Sequence, residues 1–119
     1  MEDTSDPDLC GYLYKQSKWF RVWRRRYFVL KGSKIYFSTK QGEPYHGMID
    51  LDECISVKPA DDTLLKRAHT IEIRTPKDSF YLFASREKTK EDWIGAISRA
   101  IVRTSCLSMA STANSLDLL

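Results

Sequence analysis

The sequence predicts a mainly β fold with one helix: about seven short antiparallel strands, as a sandwich or partly open barrel, then a single C-terminal α-helix. Three observations predict it. Short runs rich in β-branched and aromatic residues recur from residue 10 to residue 84. Gly-, Pro- and Asp-containing turns separate them. From Ser85 the apolar period changes from strand-like to helical.

The elements follow in order. "CGYLYK" (10–15) is the first strand, and "VWRRRYFVL" (22–30) alternates as the second. Lys31-Gly32-Ser33-Lys34 reads as a hairpin turn into "KIYFS" (34–38). After the loop 39–47, "MIDL" (48–51) and "CISV" (54–57) are short strands. A second long loop, 58–68, leads to "HTIEIRT" (69–75), the turn Pro76-Lys77-Asp78 and "SFYLFA" (79–84). Trp93, Ile97, Ala100 and Ile101 then form one stripe of an amphipathic helix, expected to cover an open end or corner of the barrel. Ser85 is the expected N-cap, Glu87 suits the first turn and Arg103 the last.

The chain has 119 residues, enough for one domain around one core. Residues 1–8 read as an acidic N-terminal extension, 9–103 as the domain, and 104–119, rich in Ser, Ala and Thr, as a flexible tail or linker. The N-terminus lacks the basic-then-apolar form of a secretory signal. No apolar run approaches a membrane span. Cys10, Cys54 and Cys106 are few and scattered, which fits a reducing, cytoplasmic setting.

The net charge of +3 hides a strong asymmetry. Between Asp8 and Glu43 lie nine basic residues and no acidic one, so the remainder carries a net negative charge. One pole should attract an anionic partner. Alternation places Arg24 and Arg26 on the same face as Phe28 and Leu30, and Lys15 on the same face as Leu13. If those apolar residues face the core, Lys15, Arg24 and Arg26 meet at the barrel mouth. Three cations there repel one another unless an anion joins them, and a multiply phosphorylated ligand fits. Trp19 and Phe20 sit in the loop beside this mouth, flanked by Lys18 and Arg21. Exposed aromatics between cations form the pattern of a membrane-interface anchor.

Other chemistry finds little support. His46 and His69 are the only histidines, and each reads as a surface residue. No Cys/His spacing fits zinc, no GxxxxGK[ST] stretch occurs, and no catalytic constellation or cofactor motif is seen. Asp50, Asp52 and Glu53 read as a solvated turn and Met48 as core filler. Leu64 and Leu65 either pack under their loop or face a partner. A nucleic-acid reading is set aside, because the cations cluster at one mouth rather than tracking a groove.

Gly11, Leu13 and Lys15, then Trp23, Arg24, Arg26, Tyr27, Phe28 and Leu30, then Trp93 in a late helix, form a pattern that resembles the pleckstrin homology domain. The resemblance covers residues 9–103 and implies a strongly bent seven-stranded sandwich closed at one corner by the helix. In a narrower way the chain resembles the subset that binds 3-phosphorylated inositol lipids. That resemblance implies headgroup contacts from Lys15, Arg24 and Arg26, with Arg21 and His46 at the edge. It also implies bilayer contact by Lys18, Trp19 and Phe20. A Tyr on the third strand commonly meets a phosphate in this subset. Tyr36 is assigned that contact, although alignment with the subset puts Phe37 at the inward position. The short hairpin at Pro76–Ser79 adds no further phosphate ligands.

The expected function is therefore that of a non-enzymatic phosphoinositide-binding module. It would recruit its parent protein from the cytoplasm to the inner plasma membrane through PtdIns(3,4,5)P3, PtdIns(3,4)P2 or both, as a sensor of phosphoinositide 3-kinase output. The alternative is a protein-interaction adaptor module with weak, nonspecific binding to acidic lipid.

Overall fold

The computed structural model describes residues 4–117. Seven strands form a single antiparallel sheet: β1 (Leu9–Gln16), β2 (Trp23–Lys31), β3 (Lys34–Ser38), β4 (Gly47–Asp50), β5 (Ser56–Pro59), β6 (Thr70–Arg74) and β7 (Ser79–Phe83). Their spatial order is β4-β3-β2-β1-β7-β6-β5. The sheet is not closed, since β4 and β5 end the order unpaired with one another. Helix α2 (Glu87–Asp117) packs against β5, β6 and a 3-10 turn at Leu51–Glu53 that follows β4. It therefore covers the gap between the two edge strands.

Alternation makes the core. Leu13, Phe28 and Leu30 are buried from β1 and β2, as their shared face requires. Ile35, Ile49, Ile71, Ile73 and Leu82 join them from the other strands. Trp93, Ile97 and Ala100 enter from α2, which confirms the predicted stripe. Burying each large apolar side chain is worth about 1.5–3 kcal/mol. Gly32 turns the β2–β3 hairpin at φ +63°, a conformation that favours glycine. The Asp8 carboxylate accepts from the Gly32 N–H at 2.8 Å and fixes that turn.

The structure departs from several expectations. Loop 58–68 contains a four-residue helix, α1 (Asp62–Leu65). It is started by the Asp61 carboxylate, which accepts from the Thr63 N–H at 2.9 Å. Helix α2 begins two residues after Ser85; the Arg86 carbonyl accepts its first hydrogen bond, from Lys90 N–H. The helical backbone of α2 runs on to Asp117. Met48 is exposed rather than core, because its neighbour Ile49 occupies the inward position of β4. Asp50 and Asp52 do form a turn, braced by Lys34 at 3.3 and 3.6 Å.

Candidate functional site: a cationic cavity on the first hairpin

The β1–β2 register sets the site. Lys15 stands opposite Arg24, and Leu13 opposite Arg26. The buried Leu13 and Phe28 anchor this face, so the three cations continue it to the sheet's end. There Lys15, Arg24 and Arg26 line one solvent-open cavity with Ser17, Lys18, Phe37 and His46. No carboxylate belongs to its lining. At about 220 Å³ it is smaller than the roughly 300–1,000 Å³ of enclosed small-molecule sites. That suits a polar ligand that keeps much of its surface in water.

Phe37 floors the cavity. It is paired with Phe28 in the β2–β3 register and tilts against that buried ring at 5.5 Å. On its other side it faces Gly47 across the β3–β4 ladder. A Cβ at Gly47 would overlap the Phe37 ring, so any larger residue there must push the ring aside. His46 meets the Phe37 ring edge-on at 5.2 Å. The Lys15 ammonium lies 5.4 Å from the Phe37 ring centre and 5.7 Å from that of Phe80. Burial pushes its pKa down, and the Arg26 charge pushes it further the same way. Among the described residues no acid pairs with Lys15, Arg24 or Arg26. An arriving anion would supply the missing counter-charge.

The run Arg24-Arg25-Arg26 divides between faces. Arg25 points the other way and its guanidinium lies 3.7 Å from the Tyr12 ring centre. Arg26 donates to the Arg25 carbonyl at 2.8 Å, which steadies its guanidinium. Only the alternate residues, Arg24 and Arg26, serve the cavity.

The loop between the strands is tied at its neck by Ser17. The Ser17 N–H donates to the Val22 carbonyl at 2.8 Å, and the Ser17 hydroxyl accepts from the Val22 N–H at 3.1 Å. Beyond this neck Trp19 and Phe20 are 82% and 78% exposed. Neither folds back on the sheet. Lys18 forms an ion pair with Asp78 of the β6–β7 turn at 2.8 Å, which braces the loop base.

Two assigned residues stand elsewhere. Arg21 adopts φ +52° and lines a neighbouring cavity of about 550 Å³ with Gln16, Ser17, Lys18, Leu65, Ser79 and Tyr81. Tyr36 lies on the opposite face of β3 from Phe37, and its ring is 5.5 Å from that of Tyr45. Alignment with the subset carried the signal that Phe37 faces inward. The parts Ser17, Phe80 and Asp78 were not singled out in the sequence, because each reaches the site only through loop closure or strand pairing. Among the described residues no cluster of three His, Cys, Asp or Glu side chains is placed to hold a metal.

Residues 7–102 match the PH domain family. The chain belongs to that family. Pleckstrin homology domain-containing protein 1 of Arabidopsis thaliana is 34% identical over 111 residues, 88% of this chain and 76% of that protein. A PH domain-containing protein of Dictyostelium discoideum is 39% identical over 93 residues, 77% of this chain but only 20% of that protein. Among solved structures, the C-terminal PH domain of pleckstrin in complex with D-myo-Ins(1,2,3,5,6)P5 is similar, with a TM-score of 0.70 and 25% identity. That likeness covers 80% of this chain and 95% of the pleckstrin domain. The PH fold is a non-catalytic module, often one that binds lipids or proteins. No helix among the described residues is long and apolar enough to cross a membrane.

Proposed function

We propose that this PH domain binds phosphoinositides and recruits its parent protein to the inner plasma membrane through PtdIns(3,4,5)P3, PtdIns(3,4)P2 or both. The observation that carries the reading is the convergence of Lys15, Arg24 and Arg26 on a cavity with no carboxylate in its lining. In the proposed mechanism the basic pole draws the domain to the anionic leaflet. Lys15, Arg24 and Arg26 hold the ring phosphates through charge-assisted hydrogen bonds. His46 stands at the cavity edge, and Arg21 faces lipid from the adjoining cavity. The exposed Trp19 and Phe20 enter the interface between headgroup and acyl chain and slow release. Either signal alone is weak, and the two together hold the domain. The pleckstrin neighbour holds an inositol pentakisphosphate, which supports inositol phosphate recognition on this fold.

The test is co-sedimentation with phosphatidylcholine vesicles carrying a few mole per cent of PtdIns(3,4,5)P3, PtdIns(3,4)P2, PtdIns(4,5)P2 or phosphatidylserine. Selective pelleting with the 3-phosphorylated lipids is expected. Equal pelleting with all four anionic lipids would contradict the reading.

A further inference from the structure

Lys15 differs from the other nine lysines in its surroundings. Lys18, Lys34, Lys40, Lys58, Lys88 and Lys90 each pair with a carboxylate, Lys31 donates to the Asp6 carbonyl, and Lys66 and Lys77 are exposed. Lys15 is half-buried, lies between the rings of Phe37 and Phe80, and has no acid partner among the described residues. Its depressed pKa leaves more of it as free amine near neutral pH than an exposed lysine has. A lysine desolvated against apolar groups and beside another cation is the form in which amines act as nucleophiles. Arg24 and Arg26 line the same cavity and provide anchors for phosphate.

We infer that Lys15 is a site of covalent acylation by acyl phosphates, with the phosphate held by Arg24 and Arg26 and the acyl carbon presented to the Lys15 amine. The inference rests on the reading of this cavity as a phosphate site. In the step, the neutral Nζ attacks the acyl carbon and a C–N bond forms. The bond between acyl carbon and phosphate oxygen breaks, and inorganic phosphate leaves with the proton lost by nitrogen. The product amide carries no charge, so it rests between Phe37 and Phe80 at lower desolvation cost than the ammonium did. One of the three cations is then gone, and the cavity loses its hold on a polyphosphate. Acylation would thereby release the domain from the membrane.

The experiment treats the full chain with acetyl phosphate and, in parallel, with a neutral acetyl N-hydroxysuccinimide ester. Peptide mass spectrometry reads the rate at each lysine. Lys15 is expected to react about tenfold or more faster than the median lysine with acetyl phosphate, as positioning of the reagent requires. That advantage should shrink with the neutral ester, in Arg24→Ala and Arg26→Ala, and under competing inositol 1,3,4,5-tetrakisphosphate. Acetylation of Lys15 at the median rate, in a chain that still binds the tetrakisphosphate, would overturn the inference and leave the lipid reading intact. An equal Lys15 advantage with both reagents would also overturn it. Selective acetylation, blocked by inorganic phosphate in a chain that binds no inositol phosphate, would sustain the inference and overturn the lipid reading.

Discussion

Lys15 on β1 stands directly across from Arg24 on β2, two like charges paired face to face in an antiparallel ladder. Such a pair is destabilising. Arg26, across from Leu13, adds a third charge to the same cavity. The hairpin carries this repulsion although an apolar or acidic residue at any of the three positions would relieve it. A local cost of this kind is what a functional site commonly carries, and it accords with the proposed binding role.

Replacing Lys15 by Met should therefore separate stability from binding. Burial lowers the Lys15 pKa, so the unfolded chain holds the proton more tightly than the folded one. Stability at this residue rises with pH across the alkaline window between the folded and unfolded values, and its cost is fully present below that window. Lys15→Met removes the cost. Thermal melts at neutral pH should show an equal or higher Tm, with the difference shrinking at alkaline pH. Headgroup affinity should fall by about 1.5–3 kcal/mol, the worth of a hydrogen bond to a charged group. A lower Tm at neutral pH would show that the ammonium is structural.

Trp19 and Phe20 should matter only at a surface. Both are largely exposed, and exposed substitutions change stability by within about 0.5 kcal/mol. Trp19→Ala and Phe20→Ala should each weaken vesicle binding by about 1–2 kcal/mol, part of the value of full burial. Calorimetry with soluble headgroup should detect no change. Equal losses in both assays would place these side chains in the headgroup site.

Arg21 lines the neighbouring cavity and not the one floored by Phe37. Arg21→Ala should leave soluble headgroup affinity within twofold of the parent. It should reduce binding to phosphatidylserine-rich vesicles by about 1 kcal/mol, and the loss should fade as salt rises. A large loss of headgroup affinity would mean that the loop reorients on binding.

Gly47 lets the Phe37 ring lie across it. Gly47→Ala forces that ring aside and should cost about 1–3 kcal/mol, the range for overpacking, read as a lower urea midpoint. Because Phe37 floors the cavity and meets Lys15, headgroup affinity should fall as well. Unchanged affinity in a destabilised variant would show that the floor does not position the cation.

On the outer face, a hydrogen bond with Cys10, followed by burial, pushes the Tyr27 pKa up to about 12. A raised phenol pKa favours folding below the unfolded value and loses that contribution as pH rises through about 12. Ultraviolet titration should show one late-ionising tyrosine, and Cys10→Ala should bring it earlier. No change in Cys10→Ala would assign the shift to burial.

Face and period were legible in the sequence because they follow from local geometry. The pair Leu13 and Phe28 told which side of the hairpin was inward, and so which arginines met Lys15. The bounds of Lys34–Ser38 came directly from the turn before it and the loop after it. What stayed hidden was set by closure. The side on which Arg21 lies depends on its positive φ and on the Arg21 N–H to Ser17 carbonyl bond, which no alternation encodes. Tyr36 and Phe37 differ by one position, and one position reverses the face. The brace from Lys18 to Asp78 joins residues sixty apart in the chain. Helix α1 had a signal in Asp61-Asp62-Thr63, a side-chain cap of the kind that starts short helices.

The most direct measurement is calorimetric titration with soluble inositol 1,3,4,5-tetrakisphosphate beside the 1,3,4- and 1,4,5-trisphosphates. The domain should bind a 3-phosphorylated headgroup strongly, prefer it clearly over the 1,4,5-trisphosphate, and lose that binding in Arg26→Ala without loss of fold. Failure to bind any of the three would contradict the proposed function, leaving the cationic hairpin as a nonspecific acidic-surface or protein contact.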